Sequence, residues 1–132
     1  MSTMSKGRRI AGWLLTVLVA GLFIASSAGK LLRAQQVLEM MEKWGLGDQV
    51  LLIGVGELVS ALLFLAPWTH SLGLLLSSAY MGGAIVTHMQ HGESYVAQSG
   101  ILGLIWLTGF LRYPEVLQSF RSARHKNEPI QY

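Results

Sequence analysis

Four long apolar windows constrain the fold of this chain more than any other feature of its sequence. They cover residues 10–29, 50–67, 71–88 and 99–113, and Glu57 and Arg112 are the only Asp, Glu, Lys or Arg residues inside them. An α-helix needs about 17–25 mainly apolar residues to cross the hydrocarbon core of a bilayer. Each window approaches that length, so the sequence predicts an all-α protein, an integral membrane four-helix bundle.

The alternative is a soluble bundle of unusually apolar helices. The chain is 52% hydrophobic and 13% charged, against about 25% charged residues in an ordinary soluble domain. Buried helices of soluble proteins normally keep a polar stripe, and none of the four windows shows one wide enough. The first window also resembles a signal peptide, because Lys6, Arg8 and Arg9 precede it, but its length favours an uncut first span.

The link between the first two windows has a pattern of its own. Apolar residues recur near helical spacing, with charged and amide residues between them, as far as the glycines Gly45 and Gly47. This pattern predicts a short amphipathic helix at the membrane interface. An ordinary exposed helix between two spans fits the same pattern.

The distribution of Lys and Arg predicts the orientation of the bundle. Three lie before the first window, three lie in the first link, none lies in the other two links, and four lie at or after the end of the last window. By the positive-inside rule, both the basic N-terminus (residues 1–9) and the basic tail (residues 114–132) face the cytoplasm of a multi-pass cell-membrane protein. This topology accounts for the net charge of +3, so no nucleic-acid partner is expected.

Glu57 stands near the middle of the second window. Ionisable groups inside a bilayer cost several kcal/mol and normally face the bundle interior with a partner. Gly54, Ser60 and Ala61 share its helix face, and such small residues let another helix come close. We therefore expect Glu57 to point into the bundle, with Ser60 beside it as a ligand-binding residue.

The first and third windows offer partners for Glu57. Lys30 ends the first span, and its long stem can reach down towards the carboxylate. Tyr80 lies at nearly the same depth as Glu57, and Thr87 and His88 follow on the third span. In one interpretation Glu57 and His88 are catalytic and handle protons, while Lys30, Tyr80, Thr87 and Ser60 bind a ligand. In the other, the carboxylate is a structural clamp, and the residues alone do not decide between the two.

Metal and haem chemistry find little support. The segment "HMQHGE" holds His88, His91 and Glu93, but the helix is predicted to end there, so we expect no metal site. His70 and His88 belong to opposite ends of the third span, which leaves no pair to hold haem between two spans. The chain has no cysteine, so we expect no iron–sulfur cluster and no thiolate nucleophile.

Three motifs together resemble the DoxX-like family of small four-helix membrane proteins. They are "GK-LL" at the end of the first span, "GELVSALLFLAPWT" for the second and "YMGGAIVTH" at the end of the third. The positions that carry the resemblance are Lys30 with Leu31, Glu57 with Leu58, and His88. One departure is Thr69-His70, where the family often has Thr-Arg.

The resemblance implies a connection with membrane oxidoreductase assemblies, including quinol-oxidising and thiosulfate–quinone systems. It leads us to expect a subunit or accessory of such a system, with an intramembrane site for a quinone or another small lipophile and with partners that carry electrons. The alternative is a non-catalytic assembly or scaffold protein, with a protein partner or a second copy of itself. A small transporter fits less well, because paired helix breaks are missing from the spans.

Overall fold

The computed structural model describes residues 5–114, and this part of the chain is helical without strands. Its helices are α1 (Lys6–Leu31), α2 (Gln35–Lys43), α3 (Val50–Leu65), α4 (His70–Gln90) and α5 (Val96–Arg112). Short 3₁₀ turns at Gly47–Gln49 and Pro67–Thr69 lead into α3 and α4. Residues 1–4 and 115–132, with nearly all of the predicted basic tail, lie outside the described part.

Local signals explain where α1 begins and ends. The Ser5 side chain accepts a hydrogen bond from the backbone N–H of Arg8 at 3.2 Å, which satisfies one of the free donors of the first turn. The helix then runs through the first apolar window to Leu31, beyond the window at both ends. The chain reverses at Arg33, whose φ is 54°, and a new helix begins at Gln35.

The four long helices alternate in direction and form a closed ring. Helix α1 packs against α3 and α5, and α4 packs against the same two helices. Lys30 and the α4–α5 link therefore lie at one end of the ring, and Arg112 and the α3–α4 link lie at the other. We call these the Lys30 end and the Arg112 end. The apolar core between them consists of Val19, Phe23, Ala61, Phe64, Leu74, Met81 and Ile105.

Close backbone contact between α3 and α4 depends on Gly73, near the Arg112 end. A Cβ atom at this position would collide with the backbone nitrogen and Cα of Phe64. Because backbone atoms cannot move aside as a flexible side chain can, no larger residue fits without separating the two helices. Gly73 thus fixes the distance between α3 and α4.

The outer surface of the ring is apolar. Three helical segments, Lys6–Leu31, Gly47–Leu65 and Pro67–Gln90, are long and apolar enough to cross a membrane, while the apolar helix Val96–Arg112 is shorter. Large side chains such as Leu14, Leu52 and Leu75 are at least 60% exposed, while polar side chains are buried inside. This arrangement, reversed from that of a soluble domain, is the arrangement of a membrane protein.

Helix α2 lies beside the Lys30 end. It is amphipathic, with Met41 buried at 2% exposure and Glu39 and Glu42 exposed. After the helix the chain turns at Gly45, whose φ of 74° is in the left-handed region that glycine tolerates without strain. A helix is therefore present where the sequence predicted an amphipathic one.

Candidate intramembrane site

A buried ion pair joins α1 to α3. The Lys30 Nζ lies 2.7 Å from the Glu57 Oε2, and the two side chains are 9% and 2% exposed. The Lys30 Nζ also donates to the Ser26 Oγ at 2.7 Å. Two of the three ammonium protons are therefore engaged, and the carboxylate has the partner that the sequence analysis required.

Gly54 allows this contact to form. A Cβ atom at Gly54 would lie 3.0 Å from the Lys30 Cβ and 3.2 Å from a methyl carbon of Leu31. The missing side chain lets the end of α1 approach α3, so Lys30 reaches a carboxylate one helical turn further along. The small-residue face predicted around Glu57 thus receives α1, and Gly54, Ser60 and Ala61 are all buried.

Tyr80 of α4 faces the ion pair from the opposite side. Its ring packs edge-on against Phe23 with centroids 5.5 Å apart, and the Lys30 Nζ lies 5.8 Å from the centre of the ring. Its hydroxyl approaches the Glu57 carboxylate. Three helices therefore bring polar groups to one place inside the ring, as the sequence analysis expected.

These groups line a cavity of about 590 Å³, within the range of about 300–1,000 Å³ common for small-molecule sites. Its walls are mainly apolar and aromatic, with residues such as Leu22, Phe23, Met40 and Ile101. The polar groups along it are Ser26, Lys30, Trp44, Glu57, Tyr80, Thr87, His88 and Gln98.

His88 belongs to the mouth of the cavity at the Lys30 end. Its Nδ1 lies 2.7 Å from the Ala84 carbonyl oxygen; because a carbonyl only accepts, Nδ1 carries a proton. The Nε2 then faces the Gln98 amide at 3.2 Å. The indole ring of Trp44 packs edge-on against the imidazole, with centroids 4.9 Å apart.

Glu93, in the α4–α5 link, ties α2 to this mouth. Its Oε1 accepts from the Trp44 Nε1–H and from the Lys43 Nζ, both at 3.3 Å, and its Oε2 lies 3.9 Å from the His88 Nε2. Partial desolvation acts to raise the pKa of Glu93, but the hydrogen bonds from Trp44 and Lys43 and the positive charge of Lys43 outweigh it. The pKa therefore lies below its usual value.

The remaining predicted residues differ in whether they line the cavity. Thr87 lines the cavity while its hydroxyl donates to the Gly83 carbonyl at 2.8 Å. Ser60 is buried, but it donates to the Gly56 carbonyl at 2.7 Å and is not among the residues that line the cavity. His91 is exposed, and its Nδ1 lies 2.8 Å from the Thr87 carbonyl oxygen. Within residues 5–114, no group of three or more His, Cys, Asp or Glu side chains is arranged to hold a metal ion.

The cavity lining includes residues that were not predicted as site residues, among them Met40, Met41, Trp44 and Gln98. The first three belong to α2 and the turn that follows it, and the amphipathic pattern of that segment was a usable signal, since its apolar face had to cover something. Gln98 carried no such signal, because an amide in a polar link is usually exposed.

A second buried cation lies at the Arg112 end. Arg112 is 6% exposed, and its guanidinium donates to the Thr16 Oγ1 at 3.0 Å and lies 4.0 Å from the centre of the Trp13 ring. Tyr113 borders it on another side. His70, 1% exposed, packs on Tyr113 with ring centroids 4.9 Å apart. From its sequence position Arg112 was predicted as a flanking charge, and this cluster was not predicted.

The family profile of the DoxX-like proteins matches residues 14–110. This chain belongs to the DoxX-like family. The match includes Lys30, Glu57, Tyr80 and His88, so the ion pair and the cavity lie within the part of the DoxX-like chain that the family shares. Neither the curated proteins nor the solved structures give a significant match to it.

The site of this DoxX-like protein combines an apolar pocket with a few convergent polar groups. Lys30 keeps one ammonium proton beyond those given to Ser26 and Glu57, the Tyr80 hydroxyl can donate or accept, and the Glu57 carboxylate can accept further hydrogen bonds. Lys30 and Glu57 together carry no net charge. The arrangement therefore suits a neutral, largely apolar molecule with a hydrogen-bonding head group.

Proposed function

We propose that this protein is a four-span membrane protein whose cavity binds a small lipophile with a polar head group, in the service of a membrane oxidoreductase system. The observation that carries the proposal is the Lys30–Glu57 pair on the wall of a cavity of about 590 Å³. A buried pair needs no cavity to be stable, whereas a ligand site needs both convergent polar groups and room.

In this proposal α1, α3, α4 and α5 are the spans, and α2 lies at the membrane interface. Helix α5, with 17 residues, is about 26 Å long at 1.5 Å per residue, close to the thickness of a hydrocarbon core. In the same proposal the Arg112 end faces the cytoplasm of the cell, with both termini on that side. The position of Lys6, Arg8, Arg9 and Arg112 at this end of the ring supports that orientation under the positive-inside rule.

A quinone fits the residues present. Its carbonyl oxygens accept hydrogen bonds, and the Lys30 ammonium and the Tyr80 hydroxyl are donors that both line the cavity. Phe23 and Ile101 provide apolar surface for the ring and tail. When bound, a quinone supplies the two-electron chemistry that this chain, which lacks cysteine, would draw from a partner or cofactor. In this proposal Glu57 and His88, which both line the cavity, take up or release the protons of the quinone.

The experiment that tests this proposal measures binding of decylubiquinone, a short-tailed quinone, to the purified full-length protein by quenching of tryptophan fluorescence. Tyr80→Phe removes one hydroxyl and keeps the ring on Phe23, so we expect affinity to fall about fivefold to tenfold, the usual effect of losing one hydrogen bond. Tyr95→Phe, on an exposed tyrosine of the α4–α5 link, is the matched control and leaves affinity unchanged.

A second change tests the cavity itself. Gly83 lines it, and an added Cβ there meets nothing within 4 Å, so Gly83→Leu adds volume at the cavity without a clash at the Cβ atom. We expect decylubiquinone binding to be lost while the melting temperature stays the same. Binding that survives both Gly83→Leu and Tyr80→Phe is binding elsewhere and refutes the proposal.

The alternative function is a membrane scaffold, and the position of the ion pair favours it specifically. Lys30 and Glu57 join α1 to α3 where Gly54 brings the two helices together, so the pair also acts as a clamp. In a scaffold, Glu57→Gln lowers the melting temperature by several degrees, no lipophile is extracted from the wild-type protein, and a protein partner or a second copy stays bound instead. A bound quinone that wild type retains and a stably folded Glu57→Gln variant loses supports the ligand site.

A further inference from the structure

A second groove runs along the membrane-facing side of α1, away from the ion pair. It has a volume of about 690 Å³, and the residues of the described range that line it are Lys6, Arg9, Ile10, Trp13, Leu14 and Val17. These residues recur at three- and four-residue spacing, so they form one face of the helix. The two cations occupy its end, and the four apolar side chains, each at least 42% exposed, follow below them.

The dimensions of the groove match one leaflet of a bilayer. Lys6 and Val17 are 11 positions apart on α1, which is about 16 Å along the helix axis at 1.5 Å per residue. Half of a hydrocarbon core of about 30 Å is about 15 Å. A molecule with its head group at Lys6 and Arg9 and its chains beside Leu14 and Val17 thus occupies the depth of a single phospholipid.

The charges around the groove favour an anionic head group. Arg8, between the two groove cations, donates to the carbonyl oxygens of Leu111 and Phe110 at 3.1 and 2.9 Å, and Arg112 lies over the Trp13 ring. Both of these cations are used inside the protein and still add to the positive field. Lys6 and Arg9 form no ion pair with any residue of the described range 5–114.

The acidic residues lie elsewhere. Of the carboxylates that the structure describes, those at 39, 42, 48 and 93 lie at the Lys30 end, and Glu57 pairs with Lys30. Within residues 5–114 the Arg112 end therefore presents cations alone. An anionic phosphate is the complementary group, and it is the group that the cytoplasmic leaflet supplies.

We infer that this groove is a binding site for an anionic phospholipid, with the phosphate held by Lys6 and Arg9 and the acyl chains packed along Ile10, Trp13, Leu14 and Val17. The site belongs to the surface of α1 and rests on the proposed membrane topology, but it does not depend on the cavity or on any ligand of it. Its failure and the failure of the proposed function are therefore separate outcomes.

Two tryptophans make the inference directly testable. Trp13 lies in the groove, whereas Trp68, 86% exposed, lies at the same end of the ring in the α3–α4 link, which carries no Lys or Arg. Full-length variants that retain Trp13 alone or Trp68 alone, with phenylalanine at the other tryptophans, are placed in phosphatidylcholine vesicles. A minor fraction of lipid with brominated chains, either phosphatidylglycerol or phosphatidylcholine, then quenches the neighbouring indole.

At Trp13 we expect brominated phosphatidylglycerol to be enriched about fivefold over brominated phosphatidylcholine. This is the enrichment expected when about one cation attracts an anionic head group at the membrane surface. At Trp68 the two lipids quench equally. Lys6→Gln combined with Arg9→Gln abolishes the preference at Trp13, and Lys6→Arg combined with Arg9→Lys retains it. Arg33→Gln combined with Lys43→Gln removes the same charge from the opposite end and leaves the preference in place.

Equal enrichment at Trp13 and Trp68 means general attraction to a charged leaflet and overturns the inference. The inference is also overturned if the preference for phosphatidylglycerol at Trp13 survives the Lys6→Gln, Arg9→Gln double variant. The same holds if the preference disappears equally in the Arg33→Gln, Lys43→Gln double variant. Melting temperatures of all variants are measured first, and if the double variant does not fold, Arg9→Gln alone is the deciding comparison. If inorganic phosphate competes and removes the preference, the site binds a free anion, and the inference is again overturned.

Discussion

The two ends of the helix ring each bury a cation, and they surround it differently. At the Lys30 end the ammonium is paired with a carboxylate on the wall of a cavity, and hydrogen-bonding capacity on Lys30, Glu57 and Tyr80 remains unused. At the Arg112 end the guanidinium is enclosed by the Thr16 hydroxyl, the Trp13 ring and Tyr113. The comparison teaches that two buried cations in one fold can have different surroundings: one borders an open cavity, and the other is enclosed by neighbouring side chains.

The glycines of the ring also differ in how much space surrounds them. Near the Arg112 end, Cβ atoms added at Gly12 and Gly109 would lie within 3.1 Å of Arg112 and Leu74 side-chain atoms, and one at Gly73 would meet the backbone of α3. At the cavity, Gly83 has nothing within 4 Å, although Gly54, where α1 meets α3, is tightly packed. The three glycines near the Arg112 end are therefore sensitive to added volume, while Gly83 has room for it.

The largest expected effect comes from breaking the ion pair. Glu57→Leu leaves the Lys30 ammonium buried without its carboxylate, and we expect the free energy of unfolding to fall by about 3–5 kcal/mol. Lys30→Met combined with Glu57→Leu removes both charges, so most of that loss is recovered. Thermal and denaturant unfolding in detergent measure both variants, and a double variant that is no more stable than Glu57→Leu would contradict this account of the pair.

The next effect compares two glycines of one helix. Gly73→Ala places a methyl group against the α3 backbone, and we expect a loss of about 3 kcal/mol, at the upper end of typical overpacking costs. Gly83→Ala adds the same methyl group to open space, and we expect no loss. Unfolding of the two variants under the same conditions measures the difference, and equal losses would show that the two ends are packed alike.

A smaller effect separates two threonines. Thr16→Val removes the hydroxyl that accepts from Arg112, and we expect a loss of about 2 kcal/mol in stability, typical of a hydrogen bond to a charged group, with decylubiquinone binding unchanged. Thr87→Val removes a hydroxyl at the cavity, which bonds only to its own helix, so stability should hardly change. Unfolding and fluorescence titration are measured on both, and altered quinone binding in a folded Thr16→Val variant would mean that the two ends are coupled.

Much of this comparison followed from the sequence, and the reasons differ for the two ends. Glu57 was recognisable as a buried, paired group because a carboxylate inside an apolar window has few physical alternatives, and Lys30 was the cation with the right length and position. Arg112 stands where its window ends, so the same reasoning treated it as a flanking charge that marks the cytoplasmic side. Its contact with Thr16 depends on how α1 and α5 pack, which helical spacing within one segment does not specify.

The smallest expected effect concerns the attachment of α2 across the mouth of the cavity. The pKa of Glu93 lies below its usual value because the hydrogen bonds from Trp44 and Lys43 outweigh desolvation. The bridge therefore contributes at pH values above the usual pKa of a glutamate and is lost as the pH falls through the lowered pKa. We expect backbone amides of α2 to exchange hydrogen faster at acidic pH, after correction for intrinsic exchange rates.

Two variants of α2 contacts check that expectation. Glu93→Gln should show the faster exchange already at neutral pH, with little further change on acidification. Glu39→Gln alters an exposed glutamate of α2 whose side chain, within residues 5–114, bonds only to Gln35, and this variant should exchange like wild type. Unchanged α2 exchange in Glu93→Gln would show that apolar contacts, such as that of Met41, hold the helix without the bridge.

The Lys30–Glu57 pair also has an electrical consequence. A unit charge moved across the whole membrane changes its energy by about 2.3 kcal/mol per 100 mV. The opposite charges of the pair are 2.7 Å apart, about a tenth of a hydrocarbon core of about 30 Å, so the membrane voltage acts on the intact pair with at most about 0.2 kcal/mol per 100 mV. A neutral molecule can therefore enter and leave beside the pair almost independently of the voltage. Protonation of Glu57 would leave Lys30 as an unbalanced charge, and only then would the site sense the membrane potential.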